Sequence, residues 1–229
     1  MKPLLIAIDG PAGAGKTTVS RILAERLGYI YVDTGALYRG VALEAKIAGL
    51  NQDDDIGLEH LCRNLNLKFI RGKKGLRLLS NNLDITDQIR TSEITMLASD
   101  ISAIPVVRKC LLDLQRNMGN KKGAVFEGRD MGTVVFPDAD LKFFLEASLK
   151  TRSLRRYQEL TSKNFQTLAE VERDIKHRDE NDSTRILAPL KPANDAIIIN
   201  TTDLSVNEVV ELMLSYIIHD VSRLNLSNR

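Results

Sequence analysis

Short, almost wholly apolar runs punctuate this chain, and longer amphipathic stretches separate them. Leu4-Leu5-Ile6-Ala7-Ile8 comes first, and comparable runs recur at Tyr29 to Val32, Ala124 to Glu127, Leu141 to Leu145 and Ala196 to Ile199. Runs of this length without polar alternation suit strands that are buried on both faces. The intervals between them hold one or more helical crossovers each, so the pattern predicts an α/β protein: a five-stranded parallel sheet with helices on both faces. The helix predicted from Lys16 to Leu27 carries Val19, Ile22, Leu23 and Leu27 on one face and stops at Gly28. A last helix starts at Ser205 and Glu208, which stand at capping-box spacing ahead of Val209, Val210, Leu212, Met213 and Ile217.

Between Val32 and Ala124 the pattern changes. Leu67 to Ile70, Leu76 to Leu79 and Leu83 to Ile85 are strand-like, and Gly72-Lys73-Lys74-Gly75 and Asn81-Asn82 separate them. This predicts a small antiparallel insert at about residues 64–91. By pattern alone it is either a binding region or an edge extension. Asp100 to Met118 reads as helix, broken or kinked at Pro105. Charge dominates from Thr151 to Arg178, through Arg152, Arg155, Arg156, Lys163, Arg173, Lys176 and Arg178. A solvated helix face is the ordinary meaning of such a run. Residues 1–229 are expected to form a single domain with these insertions.

Composition narrows the function classes. Lys and Arg number 32 against 30 acidic residues, a net charge of +2, so there is no general electrostatic case for a nucleic-acid partner. Cys62 and Cys110 are distant in sequence and match no metal spacing; no disulfide is expected, and a reducing compartment suits them. His60, His177 and His219 are equally scattered. No secretory or membrane-spanning run is legible, which makes a cytoplasmic protein without membrane contacts the expectation.

The candidate chemistry begins where the first apolar run ends. Gly10-Pro11-Ala12-Gly13-Ala14-Gly15-Lys16-Thr17-Thr18 has the glycine, lysine and hydroxyl spacing of a phosphate-binding loop between strand and helix. Gly10, Gly13 and Gly15 permit backbone conformations that let successive N–H groups converge on phosphate oxygens. Lys16 adds a movable positive charge, and Thr17 a hard oxygen suited to the Mg2+ that accompanies ATP. A tight glycine turn would account for the glycines but not for the adjacent Lys and Thr.

Such a loop serves switch GTPases, motor ATPases and small-molecule kinases alike. The nearest string to a guanine-reading element, Asn120-Lys121-Lys122-Gly123, lacks the necessary carboxylate. Glu127, closing an apolar strand, is an imperfect candidate for the magnesium-holding carboxylate of an ATPase. Phosphoryl transfer between two nucleotides needs positive charge from several directions, and Arg39, Arg108, Arg129, Arg152, Arg155, Arg156, Arg178 and Arg185 are available for it. Any one of them could equally be a surface ion pair, but together with the loop they favour a kinase.

Asp33-Thr34-Gly35-Ala36-Leu37-Tyr38-Arg39, Glu127-Gly128-Arg129-Asp130-Met131-Gly132-Thr133-Val134-Val135-Phe136-Pro137, and Arg178-Asp179 followed by Arg185 and Ala188-Pro189-Leu190 resemble, in order and spacing, the bacterial cytidylate kinase family. The resemblance covers essentially the whole chain. It implies a P-loop kinase fold, with the insert as monophosphate-binding region and a short lid at about residues 151–165. The implied activity is phosphorylation of CMP and dCMP by ATP, with magnesium, in a largely monomeric cytoplasmic enzyme.

The resemblance makes Gly10 to Thr18 the ATP site and assigns Thr34 and Arg39 to the monophosphate. Ser99, Arg108 and Asp130 fall where the family reads the pyrimidine. Arg178, Asp182 and Arg185 match positions near sugar and phosphates, and Arg152, Arg155 and Arg156 match the lid. A carboxylate such as Asp130 can accept from the cytosine amino group while Arg108 donates to the ring, which predicts a preference for CMP over UMP. The alternatives are a P-loop kinase with a different acceptor and an ATP-binding regulatory module without turnover.

Overall fold

The computed structural model describes residues 2–72, 75–160 and 166–226. Lys73 and Lys74 of the expected insert turn, and residues 161–165 at the end of the expected lid with Lys163 among them, lie outside the described residues.

Strand β1 (Leu5–Asp9) runs through the centre of a five-stranded parallel sheet, and α1 (Lys16–Leu27) follows it across the glycine-rich loop. Next come β2 (Ile30–Asp33), α2 (Thr34–Ile47) and α3 (Asp55–Asn64). The insert is β3 (Leu67–Gly72), β4 (Gly75–Ser80) and β5 (Leu83–Asp84), a three-stranded antiparallel sheet. Helices α4 (Ser92–Ile101) and α5 (Pro105–Gly119) lead to β6 (Ala124–Glu127) and β7 (Leu141–Glu146). Helices α6 (Leu149–Leu160) and α7 (Leu168–Thr184), strand β8 (Ile197–Asn200) and α8 (Val206–Leu226) complete the chain.

The large sheet has the order β2-β6-β1-β7-β8. Parallel register pairs Ile8 with Glu127 on one side of β1 and Asp9 with Phe144 on the other, while Asp33 of β2 pairs with Glu127. The chain therefore leaves β1 toward one edge through β2 and reaches the other edge through β7 and β8. Ligands of open parallel sheets gather at the carboxyl ends of strands where such a reversal occurs.

The strands read as expected to within a residue or two. Alternation in β1 sends Ile6 and Ile8 toward α1 and α8, where Val19, Leu23, Val209, Val210 and Met213 cover them. Leu5 and Ala7 face the other way, toward Phe126, Met131 and Phe136. A second apolar cluster joins α2, α3, α4 and α5 to β4 through Leu37, Val41, Leu58, Leu78, Ile101 and Leu111. The helix expected from Asp100 to Met118 is in fact two. Pro105 takes the first position of α5, where its missing N–H costs nothing, and α4 has already ended at Ile101. Among the described residues no helix is long and apolar enough to cross a membrane.

Candidate active site

The loop after β1 has the backbone that its glycines anticipated. Gly10 has φ +147°, and a Cβ there would sit 2.0 Å from the Leu145 carbonyl oxygen; Gly13 has φ +75°, with a Cβ position 2.8 Å from the Arg152 carbonyl oxygen. The first glycine thus lets the loop pass against the backbone of β7, and the second lets α6 approach the loop. Lys16 folds back over the loop and donates from Nζ to the carbonyls of Gly10 and Pro11, both at 2.7 Å. Burial, and then the charge of Arg129, depress its pKa to about 7.

The ends of β1, β6 and β2 assemble an oxygen-rich cluster beside the loop. Thr17 Oγ1 donates to Glu127 Oε2 at 3.1 Å, and the Tyr31 hydroxyl donates to Glu127 Oε1. Burial, followed by the charge of neighbouring Asp33, pushes the Glu127 carboxyl up to about 7. Asp33 caps α2 by accepting from the Ala36 N–H at 3.0 Å, and its other oxygen accepts from Arg39 at 2.8 Å. Thr34 is buried and donates to the Glu127 carbonyl at 2.7 Å, which ties β2 to β6. Thr17, Glu127 and Asp33 are hard oxygen donors close together, a set whose chemistry fits Mg2+.

A second cluster forms where β6 gives way to Gly128 and a wide helical turn, Met131–Val135. The N–H groups of Met131 and Gly132 donate to the two oxygens of Asp9, each at 2.8 Å. The residue before the phosphate loop therefore fixes the turn that carries Asp130. The buried Asp130 carboxylate accepts from Arg108 and lies 3.6 Å from the Arg185 guanidinium. Arg108 also donates to the Ser102 carbonyl at 3.0 Å and stands 5.8 Å from the centre of the Tyr38 ring. Arg185 donates to the Ser102 hydroxyl at 3.2 Å and to the Ala188 carbonyl at 2.7 Å.

Between the two clusters Arg129 donates to Asp182 at 2.7 Å. Burial pushes the Asp182 carboxyl up, but Arg129 and then Arg185 outweigh it and hold the group below the usual carboxylate range. Burial and the neighbouring Arg129 lower Arg178 to about 10, which leaves it charged at neutral pH. Four polar atoms here are buried with no hydrogen-bond partner among the described residues: Arg39 Nε, Ser99 Oγ, Arg178 Nε and Arg185 Nη2. Buried donors without partners are uncommon in folded proteins and invite a ligand.

The three arginines expected in the lid are placed differently. Arg152 is buried, donating from Nε to the Ala147 carbonyl at 3.0 Å and from Nη1 to the Ala12 carbonyl at 2.9 Å and to Asp179. Asp179 in turn accepts from the Ala12 N–H at 3.2 Å. Arg155 donates to the Thr201 carbonyl at 2.6 Å, and the Thr201 hydroxyl donates to the Ala14 carbonyl at 3.2 Å. Both arginines thus brace the phosphate loop. Arg156 is part exposed and pairs with Glu159 at 3.1 Å. The sequence reading missed Asp9, Ser102, Asp179 and Thr201. Asp179 lay inside a recognised motif, but no local spacing marks the other three.

A family model described as Cytidylate kinase matches residues 6–219. A cytidylate kinase of Geobacter sp. strain M21 is 51% identical over 92% of this chain and 91% of its own length. That of Pasteurella multocida is 43% identical over 93% of this chain and 95% of its own. Among solved structures, a gluconokinase from Sinorhizobium meliloti shares the fold, with a TM-score of 0.52 at 12% identity, covering 100% of this chain and 99% of that one.

Proposed function

The chain belongs to the cytidylate kinase family, and we propose that the residues gathered at the ends of β1, β6 and β2 carry out its reaction, ATP-dependent phosphorylation of CMP and dCMP. An oxygen of the acceptor phosphate attacks the γ-phosphorus of ATP. The bond to the β,γ-bridging oxygen breaks, and ADP leaves with CDP or dCDP as the other product. No covalent intermediate with the protein is needed, because orientation and charge neutralisation are what such a transfer requires.

The amides of residues 10–18 receive the triphosphate. Lys16 exchanges its two loop carbonyls for phosphate oxygens and is held fully protonated by them. Thr17 and Glu127, with Asp33 beside them, are the residues that would hold magnesium, which when bound neutralises charge on the β- and γ-phosphates. Arg39, Arg129 and Arg178 supply the opposing positive charge that draws the acceptor phosphate toward the γ-phosphoryl group. Asp182 suits the sugar hydroxyls. Ser99, Arg108, Asp130 and Arg185 form the pocket for the base. The insert at about residues 64–91 serves as monophosphate-binding region, and in the lid expected at about residues 151–165, whose last five positions lie outside the described residues, Arg156 is paired with Glu159 rather than braced against the phosphate loop. The enzyme acts as a cytoplasmic monomer.

The buried polar atoms without hydrogen-bond partners at Arg39, Ser99, Arg178 and Arg185 carry this reading, since the side chains expected around the acceptor nucleotide are the ones that the described residues leave unsatisfied. The test is ADP release measured by a coupled assay across CMP, dCMP, UMP, AMP and shikimate. CMP and dCMP are expected to be turned over, and UMP less efficiently by at least about fivefold, because a carbonyl facing Asp130 leaves a buried acceptor unmatched at about 1 kcal/mol or more. Equal use of all acceptors, or preference for shikimate, would overturn the assignment of the acceptor pocket.

A further inference from the structure

Cys62 and Cys110 are 48 positions apart in the chain, yet the fold places them in contact. Cys62 lies in the last turn of α3 and Cys110 in the second turn of α5. The Cys110 thiol donates to the Cys62 carbonyl oxygen at 3.6 Å, and the two thiols are near enough to influence each other's protonation. No disulfide joins them in this structure. Both line a groove of about 210 Å³ with Leu65, Leu67, Leu111 and Leu114, where α3 and α5 meet the start of the insert. Cys62 is buried and Cys110 is half-buried, so a small molecule entering the groove meets Cys110 first.

We propose that Cys62 and Cys110 are a reversible dithiol–disulfide site, oxidised by a small hydroperoxide that enters through this groove, and that the resulting bond staples α3 to α5. In the first step the Cys110 thiolate attacks one peroxide oxygen. The O–O bond breaks, hydroxide (or alkoxide) leaves, and Cys110 becomes a sulfenic acid. In the second step the Cys62 sulfur attacks the Cys110 sulfur, its thiol proton joins the departing hydroxyl as water, and the disulfide forms. Two electrons pass from the sulfurs to the peroxide.

The division of roles follows from exposure, Cys110 being open to the groove and Cys62 buried behind it, and the interaction between the thiols runs the same way. The neighbouring Cys62 thiol holds Cys110 below the usual cysteine range, although burial and the charge of Asp113 oppose it. The same interaction pushes Cys62 up. The thiol that is more readily deprotonated is therefore also the more exposed one, and its buried neighbour is in place to resolve the sulfenic acid. The staple would fall two residues from Arg108 on the same helix.

The experiment treats the full chain with a small excess of hydrogen peroxide. The protein is then denatured, alkylated and examined by intact mass and unreduced peptide mapping. Before oxidation two thiols alkylate. Afterwards none is expected to, the mass falls by two hydrogens, the peptides of Cys62 and Cys110 travel together, and dithiothreitol restores both thiols. In Cys62→Ser the sulfenic acid at Cys110 should persist and be trapped by dimedone, whereas in Cys110→Ser the remaining thiol should stay alkylatable at the same dose. Two alkylatable thiols in the treated wild type, links formed only between chains, or equal dimedone labelling of the two variants would overturn the proposal. The wild-type measurement decides the matter even if either variant fails to fold.

Discussion

Replacing Glu127 with Gln should make the ligand-free protein more stable and the enzyme worse. Glu127 is buried, and its carboxyl is raised from 4.5 to about 7 by burial first and by Asp33 second. A carboxyl raised in this way contributes stability that is present below about pH 4.5 and is lost as pH rises through about 7. Near pH 8.5 the ionised side chain therefore weakens the fold. At about 1.4 kcal/mol for each factor of ten in acidity, the ceiling is about 3 kcal/mol. Glutamine keeps an oxygen for the Thr17 and Tyr31 hydroxyls but removes the charge. A gain of about 1–3 kcal/mol is therefore expected, or about 3–9 °C in Tm for a chain of this size. Melting curves without nucleotide or magnesium, followed by circular dichroism near pH 8.5 and near pH 5.5, provide the check. The variant should melt higher at the upper pH and by about half that margin or less at the lower one, where Glu127 is protonated in the folded protein but still ionised in the unfolded chain; its kcat with magnesium and ATP should fall about tenfold or more. A variant that melts at or below wild type near pH 8.5, or one whose advantage is the same at both pH values, would refute the reasoning.

Other substitutions probe the remaining parts. Lys16→Ala should lower kcat by about a thousandfold or more without lowering the melting temperature near pH 8.5, because the buried lysine, depressed from 10.5 to about 7, must give up its proton to fold at that pH and so costs stability there. Asp130→Asn should narrow the preference for CMP over UMP by about fivefold to tenfold in kcat/KM, since an amide can donate as well as accept; an unchanged ratio would remove Asp130 from base reading. Gly13→Ala should raise KM for ATP by about tenfold, because the new methyl would stand 2.8 Å from the Arg152 carbonyl at φ +75° and force the loop and α6 apart. Steady-state kinetics with ATP as the varied substrate would show it.

Local signals were the legible ones. The apolar run ending at Ile8, the glycine spacing and Gly28 located β1, the loop and α1, because each depends on residues adjacent in the chain. Pro105 announced an interruption, and its place at the start of α5 follows from the missing N–H. Helix α2 was less legible, since Gly35 and Gly40 dilute its apolar stripe; Asp33 capping the Ala36 N–H was the available sign. The partners that hold the site together were not legible. Asp9 meets the Met131 and Gly132 amides from 122 and 123 positions away, and Arg152 reaches the Ala12 carbonyl across 140. No periodicity encodes such distances. The same holds for the two cysteines, which sequence spacing separates and helix packing brings together.

The central claim is that the phosphate loop and the Asp130 pocket face each other across one cleft, so that donor and acceptor bind in line. A bisubstrate compound, adenosine and cytidine joined at their 5′ oxygens through five phosphates, tests it most directly. Inhibition kinetics should show competition against ATP and against CMP alike, with one molecule bound per chain and an affinity about a hundredfold above that of either nucleotide. Competition against ATP alone, or two molecules bound per chain, would contradict it.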